Sequence, residues 1–480
     1  MTAKRIHYIS LGCPKNRVDT EVMVGVGTHE GYQVEPDPAQ AEVIVVNTCG
    51  FIDAAKQESI DTILDMSRMK ETGKCQTLVV AGCLSQRYGA ELAREMPEVD
   101  YFLGSSDMLK LGEILARQDA RSQAQSQKLW VGNPADYVYR ASDPRVLSQN
   151  SFSAYVKIAE GCNRSCSFCA IPSFRGKQRS RHAQDISREV TALAAQGVRE
   201  VNLISQDTMS YGRDLHGKPT LSALVRALGD IDQVKWIRLF YLYPEKLTDD
   251  LIELLAHHPK VLPYIDMPLQ HASDPMLRRM RRGHGGKRLY QVVETLRARV
   301  ANATWRTAFI VGHPGETEQD FQELYEFARW AQFDRMGVFL YSSEDGTRSA
   351  TMPDAVPRAV ARARQRKLLS LQRRISKAKN RALVGQTVEV LVEGISDESE
   401  FLLQGRHRGQ APEIDGHVIL ANGEAQPGEI RQALVQAASE YDLVADLLSR
   451  EGTLDRPPPG LGASGAAPAR KPRTALRVVS

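Results

Sequence analysis

The sequence reads as an α/β protein in three parts: an N-terminal doubly wound parallel α/β domain, a central partial (β/α) barrel and a small C-terminal β-barrel. Three observations predict this order. Strand-like and helix-like stretches alternate from Arg5 to Glu95. The alternation resumes at Ala154 and passes through six strand candidates before Tyr341. Beyond Ala382 the pattern changes to short β-like runs punctuated by glycine. Alternating units build parallel sheets covered by helices, whereas closely spaced short strands build sandwiches or small barrels.

In the first part, three apolar runs follow one plan. Arg5 to Gly12 ends at Cys13, Glu42 to Thr48 ends at Cys49, and Thr77 to Gly82 ends at Cys83. Helix-like stretches follow, as at Asp53 to Met69 and Gln86 to Glu95. Ligands of open parallel sheets gather beyond the carboxyl ends of the strands. The three cysteines are therefore expected on one side, as a set of three metal ligands. Cysteine is also a common small buried residue, but three in succession at strand ends outweigh that reading. Cys75 falls in a polar stretch and receives no role. Asn16 and Asn47 flank the ligands, and either hydrogen-bond the site or serve as ordinary cap or turn residues.

In the second part, strand candidates run from Ala154 to Ala159, Glu200 to Ser205, Trp236 to Tyr241, Tyr264 to Met267, Thr304 to Val311 and Met336 to Tyr341. Amphipathic stretches such as Ile186 to Gln196 and Asp249 to His257 lie between them. Six such units suit a barrel or partial barrel with its active site at the C-terminal mouth. Polar strand ends collect there, including Ser205, Gln206, Asp207 and Thr208 after the second strand.

Cys162, Cys166 and Cys169 follow the first strand in a C-x3-C-x2-C spacing. Three thiolates this close hold three irons of a 4Fe-4S cube and leave the fourth iron open for a small molecule. Structural zinc commonly takes four closed ligands in paired C-x2-C units, and the nearest histidine is His182. Arg175, Lys177, Arg179 and Arg181 trail this loop. Two readings stand for them: a solvated surface, or a cradle for an anionic group.

The chain has 480 residues, 42% of them hydrophobic and 25% charged, as in an ordinary soluble globular protein. Seven cysteines, an odd number clustered in motifs, argue for metal ligation in a reducing compartment over disulfides. The first residues lack the apolar core of a secretory signal, and no run approaches the roughly 20 apolar residues of a membrane span. A cytoplasmic protein with no membrane partner is expected.

Pro357 to Arg381 carries ten Lys and Arg and no acid, with Leu368, Leu371 and Ile375 at helical spacing. One face is expected to pack on the barrel while the cations stay solvated. Ala382 to Leu447 holds eight Glu and four Asp against three Arg and no Lys, a net of −9. Nucleic acid is bound mainly through Lys and Arg, so nucleic acid is not the expected primary substrate. A basic protein partner suits this charge better, as does a merely solubilising surface.

Cys-x3-Cys-x-aromatic-Cys, with Phe168 before Cys169, resembles the radical S-adenosylmethionine superfamily. The resemblance implies S-adenosylmethionine on the open iron, cleaved by one electron to methionine and a 5′-deoxyadenosyl radical. Ser205 and Gln206 stand where many members carry Gly-Gly-Glu-Pro, and Ile310 sits in a partial Gly-x-Ile-x-Gly match that lacks the first glycine. These three, with Phe168, are the expected cofactor-binding residues.

The whole layout resembles the methylthiotransferases, with an N-terminal domain at 1–120, a linker at 121–147, a radical S-adenosylmethionine core at 148–380, a TRAM domain at 381–447 and a disordered tail at 448–480. Ser10 to Arg17, Leu203 to Thr208 and Pro263 to Ala272 are similar to the branch that modifies a ribosomal protein. That branch implies methylthiolation of the β-carbon of one aspartate in small-subunit ribosomal protein S-twelve. It implies two 4Fe-4S clusters, one on Cys13, Cys49 and Cys83 and one on Cys162, Cys166 and Cys169, with electrons from a reduced flavodoxin or ferredoxin. A tRNA adenosine methylthiotransferase and a non-enzymatic iron–sulfur carrier are the rival readings. No catalytic side chain is singled out.

Overall fold

The computed structural model describes residues 4–119, 128–148, 152–449 and 478–479. The N-terminal part contains β1 (Arg5–Leu11), α1 (Pro14–His29), β2 (Gln33–Val34), β3 (Val43–Thr48), α2 (Asp53–Ser67), α3 (Met69–Thr72), β4 (Thr77–Gly82), α4 (Cys83–Glu95), β5 (Tyr101–Leu103), α5 (Leu111–Asp119) and β6 (Leu129–Trp130). The strands lie in the order β2-β1-β3-β4-β5-β6, all parallel. Successive side chains of a strand point to opposite faces. Val43, Val45 and Val79 accordingly pack on one face with Val22 and Ile114, and Ile44, Leu78 and Val80 on the other with Ile63 and Leu92. Apolar layers on both faces make the sheet doubly wound, as expected.

Leu129–Trp130, inside the stretch read as linker, supplies the sixth strand. Further along, Arg145 is buried and paired with Glu21 at 2.6 Å and Glu189 at 2.5 Å, which ties residues around it to both flanking parts. Most of the stretch read as a disordered tail, residues 450–477, lies outside the described residues. Val478–Val479 pairs in parallel with Ser10 and Leu11.

The central part contains β7 (Ser153–Lys157), β8 (Ala159–Glu160), α6 (Ile171–Arg175), β9 (Arg179–Ser180), α7 (Ala183–Ala195), β10 (Glu200–Ile204), α8 (Leu221–Gly229), β11 (Trp236–Leu239), α9 (Asp249–His257), β12 (Tyr264–Asp266), α10 (Asp274–Arg279), α11 (Gly286–Arg299), β13 (Thr304–Val311), α12 (Glu318–Ala331) and β14 (Arg335–Leu340). Two parallel triples, β7-β10-β11 and β12-β13-β14, make up the wall. Backbone bonds from Leu262 to Ile237 (2.9 Å) and from Leu242 to Asp266 (2.8 Å) join them. Among the described residues β7 and β14 do not pair, so the barrel is partial. Thr220, Thr248 and Thr317 cap α8, α9 and α12 by accepting a backbone N–H, which satisfies donors that a helix start leaves free.

Helix α13 (Arg358–Ala382) buries Leu368, Leu371 and Ile375 as expected. Its cations are mostly exposed, but Arg364 is buried and pairs with Glu316 at 3.0 Å, and half-buried Lys379 pairs with Asp334 at 2.8 Å. The C-terminal part is a closed barrel of β15 (Thr387–Ile395), β16 (Leu403–His407), β17 (Val418–Asn422), β18 (Ile430–Ala438) and β19 (Leu443–Leu447). It docks where the central strands begin. Arg406 of β16 and Arg238 share the carboxylate of Glu200, all three fully buried. Trp236 donates to Glu389 at 2.9 Å and Tyr264 to Asp415 at 2.7 Å.

A candidate two-centre site at the barrel mouth

The first centre is built by register. Ser10 lies beside Asn47, Asn47 beside Ala81, and Thr48 beside Gly82. Gly12, Cys49 and Cys83 stand directly past the ends of β1, β3 and β4, and Cys13 caps the start of α1. Gly12 has φ +90°, and a Cβ there would stand 2.8 Å from the Cys49 Cβ. Gly82 has φ +99°, and a Cβ there would stand 2.3 Å from the Asn47 Oδ1. Both positions demand a residue with no side chain and a left-handed backbone. Each turns the chain so that the next residue, a cysteine, starts a helix, where the helix dipole favours a thiolate.

Asn16 belongs to this centre. Its amide donates to the Leu11 and Thr48 carbonyls at 3.0 and 2.8 Å, and its Oδ1 lies 3.5 Å from the Cys83 Sγ. Asn47 donates to the Asn16 carbonyl at 2.7 Å. Burial pushes the Cys49 thiol up, with the Cys83 and Cys13 sulfurs adding to the shift. Burial also raises Cys83, to about 11, against the pull of Arg175. Cys75 sits elsewhere, in the apolar layer with Ile44 and Leu78.

The second centre is the loop after β8. Cys162 Sγ accepts the Arg164 backbone N–H at 3.4 Å, and Cys166 Sγ accepts from the Arg282 guanidinium at 3.3 Å. Burial raises Cys169 to about 12, against the Ile171 backbone N–H. Ser167 ties the loop to the far side of the mouth, donating to the Arg279 carbonyl and accepting from Ser349, each at 2.8 Å. Phe168 and Ile310 are half-buried. Ser205 is buried with its hydroxyl 3.2 Å from that of Thr208, and the Gln206 amide donates to Glu160 at 2.5 Å.

The two centres touch. Cys83 packs in one apolar cluster with Ala170 and Phe174 of the second loop. Arg175, at the end of α6, donates to Cys83 Sγ at 3.2 and 3.0 Å, to Asp19 at 2.9 Å and to Asn16 at 2.6 Å. Asp19 also pairs with Lys157, which pairs with Glu160 at 2.9 Å. Two of the four cations depart from both readings of the basic run, while Lys177 is exposed and Arg179 half-buried. Arg175 and Arg181 are buried in ion pairs with the protein's own carboxylates.

Sequence reasoning missed Asp19, Lys157, Glu160, Arg164 and Arg282. One signal was available: a lysine and a glutamate inside and just after the otherwise apolar strand β7. A charge in a buried strand needs a partner.

Among the described residues no group of three His, Cys, Asp or Glu closes on a single metal ion. A cubane makes a different demand, one thiolate on each of three separate irons. The donor sets fit it, with buried thiols, N–H groups aimed at sulfur, and unpartnered polar atoms alongside. Among the described residues Gln206 Oε1, Asp207 Oδ1, one Arg164 nitrogen and both His284 ring nitrogens have no hydrogen-bond partner. Arg164 and Arg282 stand over the Tyr243 ring, 3.5 and 4.9 Å from its centroid. Such a wall offers donors, acceptors and an aromatic face to a small zwitterion.

Residues 5–104 match the family described as Uncharacterized protein family UPF0004, residues 156–328 the Radical SAM superfamily, and residues 384–448 the TRAM domain. The chain is 58% identical to the ribosomal protein uS12 methylthiotransferase RimO of Sorangium cellulosum, over 100% of this chain and 98% of that one. It is 49% identical to the protein of the same name from Myxococcus xanthus, over 94% and 93%. The chain belongs to the RimO family of methylthiotransferases. Among solved structures, it resembles the radical S-adenosylmethionine methyltransferase TsrM from Kitasatospora setae with cobalamin and a 4Fe-4S cluster bound. The TM-score is 0.51 at 13% identity, covering 71% of this chain and 72% of that chain, a likeness of fold alone.

As a RimO-family member the protein is a radical S-adenosylmethionine enzyme, and the superfamily's cofactors are a 4Fe-4S cluster and S-adenosylmethionine. The non-enzymatic carrier reading is thereby set aside. Among the described residues no helix of this RimO-family chain is long and apolar enough to cross a membrane.

Proposed function

We propose that the protein methylthiolates the β-carbon of an aspartate in ribosomal protein uS12, in the cytoplasm, with a reduced flavodoxin or ferredoxin as electron donor. The observation that carries the reading is the contact between the two cysteine centres through Arg175. Cys13, Cys49 and Cys83 would hold one 4Fe-4S cluster, and Cys162, Cys166 and Cys169 the other. When bound, these groups supply the electron that cleaves S-adenosylmethionine and the sulfur that is transferred.

The chain's own residues do the rest. Gln206, Asp207 and the Arg164–Tyr243–Arg282 stack orient the polar groups of S-adenosylmethionine beside the second cysteine loop. Asp19, Lys157 and Glu160 keep Arg175 in place between the centres. The N-terminal domain covers the mouth: Arg87 and Lys56 both reach Glu344 after β14, at 2.6 and 3.0 Å. A covered mouth excludes water from a radical reaction. The acidic C-terminal barrel supports a basic protein partner over tRNA.

The test is anaerobic incubation of the reconstituted protein with S-adenosylmethionine, reductant and either uS12 or tRNA. Mass spectrometry is expected to find one added methylthio group on uS12. The same gain on tRNA, with uS12 unchanged, overturns the reading.

A further inference from the structure

Lys15 is the first-turn cation of α1, directly after Pro14, and it is only 7% exposed. No acid accompanies it in that turn, and a cation at a helix N-terminus opposes the dipole. Burying it costs further unless it is paired. Yet its ammonium makes no hydrogen bond or ion pair among the described residues. Its contact is with the face of Tyr241, with the nitrogen 3.1 Å from the ring centroid.

The surroundings explain what is missing. Asp266, Glu160 and Arg175 are the charged neighbours of Lys15. Both carboxylates are taken: Asp266 by Arg306 at 3.0 Å, and Glu160 by Lys157 at 2.9 Å and Gln206 at 2.5 Å. Arg175 is committed to Asp19 and Cys83. Among the described residues Lys15 is thus left without an ion pair, between the first cysteine centre and the ends of β11 and β12. Tyr241 beneath it is held in a left-handed backbone, φ +58°, with its N–H on Asp266 at 3.0 Å. Strain of this kind in a non-glycine residue collects at functional sites.

We propose that Lys15 receives the side-chain carboxylate of the target aspartate, holding its β-carbon between the two centres. This rests on the substrate reading above. An apolar residue in its place would remove a charge that costs stability, so Lys15→Met is expected to melt no lower than the native protein.

The experiment uses the full chain, anaerobically reconstituted, with uS12 and with uS12 whose target aspartate is changed to Asn. Lys15→Met is expected to keep its iron and its 5′-deoxyadenosine formation. It should bind uS12 about thirtyfold or more weakly, the loss typical of stripping one partner from a buried charge pair. Against the Asn substrate the same substitution should cost little further, because the paired group is already gone. Lys15→Arg, which keeps the charge, should recover part of the affinity. Native-like binding by Lys15→Met, equal losses on both substrates, or no recovery in Lys15→Arg overturns the assignment. So does loss of iron in Lys15→Met, which would give the ammonium to the Cys13 thiolate. Failure of the native protein to modify uS12 overturns the substrate reading instead.

Discussion

Arg175 places two nitrogens on the Cys83 sulfur, at 3.2 and 3.0 Å, from a helix that begins two residues after Cys169. One side chain thus belongs to the loop of the second centre and bonds a cysteine of the first. Hydrogen bonds and positive charge at a ligand sulfur stabilise the more negative, reduced state of a cluster.

Arg175→Met is therefore expected to lower the midpoint potential of the N-terminal cluster and weaken its retention about 10–100-fold, the usual cost of removing an outer-shell partner. Spectroscopic redox titration with iron counting checks it. An unshifted potential would mean the contact has no electronic role.

Replacing Cys13, Cys49 and Cys83 together with Ala should halve the iron, from about eight to about four per chain. The variant should still form 5′-deoxyadenosine while transferring no methylthio group. Replacing Cys162, Cys166 and Cys169 should abolish both. Iron analysis and product chromatography separate the two outcomes.

Arg164→Ala removes a guanidinium that bonds Asp207 and Glu245, each at 2.8 Å, and covers Tyr243. The expected effect is a rise of about tenfold or more in KM for S-adenosylmethionine, in line with roughly 1.5–3 kcal/mol for hydrogen bonds to charged groups. Iron content should stay unchanged. Initial-rate measurement of 5′-deoxyadenosine formation reads it.

Glu200 joins the central barrel to the C-terminal one. Burial alone would raise its carboxyl, but the guanidiniums of Arg406 and Arg238 outweigh that and hold it down at about 2. A carboxyl whose folded value lies below its ordinary one stabilises the fold above the ordinary value, and that contribution is lost as pH falls toward the folded one. Stability should thus decline between roughly pH 4.5 and 2. Glu200→Gln takes the shared carboxylate from two buried arginines, of which Arg406 alone, among the described residues, keeps a second, Glu393 at 2.8 Å, and should cost about 3–5 kcal/mol at neutral pH, with a much flatter acid limb. Urea denaturation at several pH values measures both.

Much of this was legible in the linear chain, for physical reasons. A cysteine at the end of each apolar run is a pattern that survives without coordinates, because parallel strands bring their carboxyl ends to one edge. The C-x3-C-x2-C loop is equally local. Helix α9 lies at Asp249–His257 as the periodicity suggests, because its Thr cap, acidic first turn and apolar stripe all agree. The ion pairs of Arg175 and Arg181 are not legible in the linear chain because their partners, Asp19 and Glu189 among them, lie on other elements. Charge composition says nothing about which side chains face one another.

By itself, then, the sequence determined the three-part order, through periodicity, and set three cysteines at strand ends and three in one loop, through spacing; the family came from the resemblance of its motifs. Only the tertiary structure decided that Arg175 reaches the Cys83 sulfur from the second cysteine loop and that, among the described residues, the Lys15 ammonium forms no ion pair. Both depend on packing α1 and α6 against the barrel, and ion pairing across such interfaces is set by distances between residues far apart in the chain.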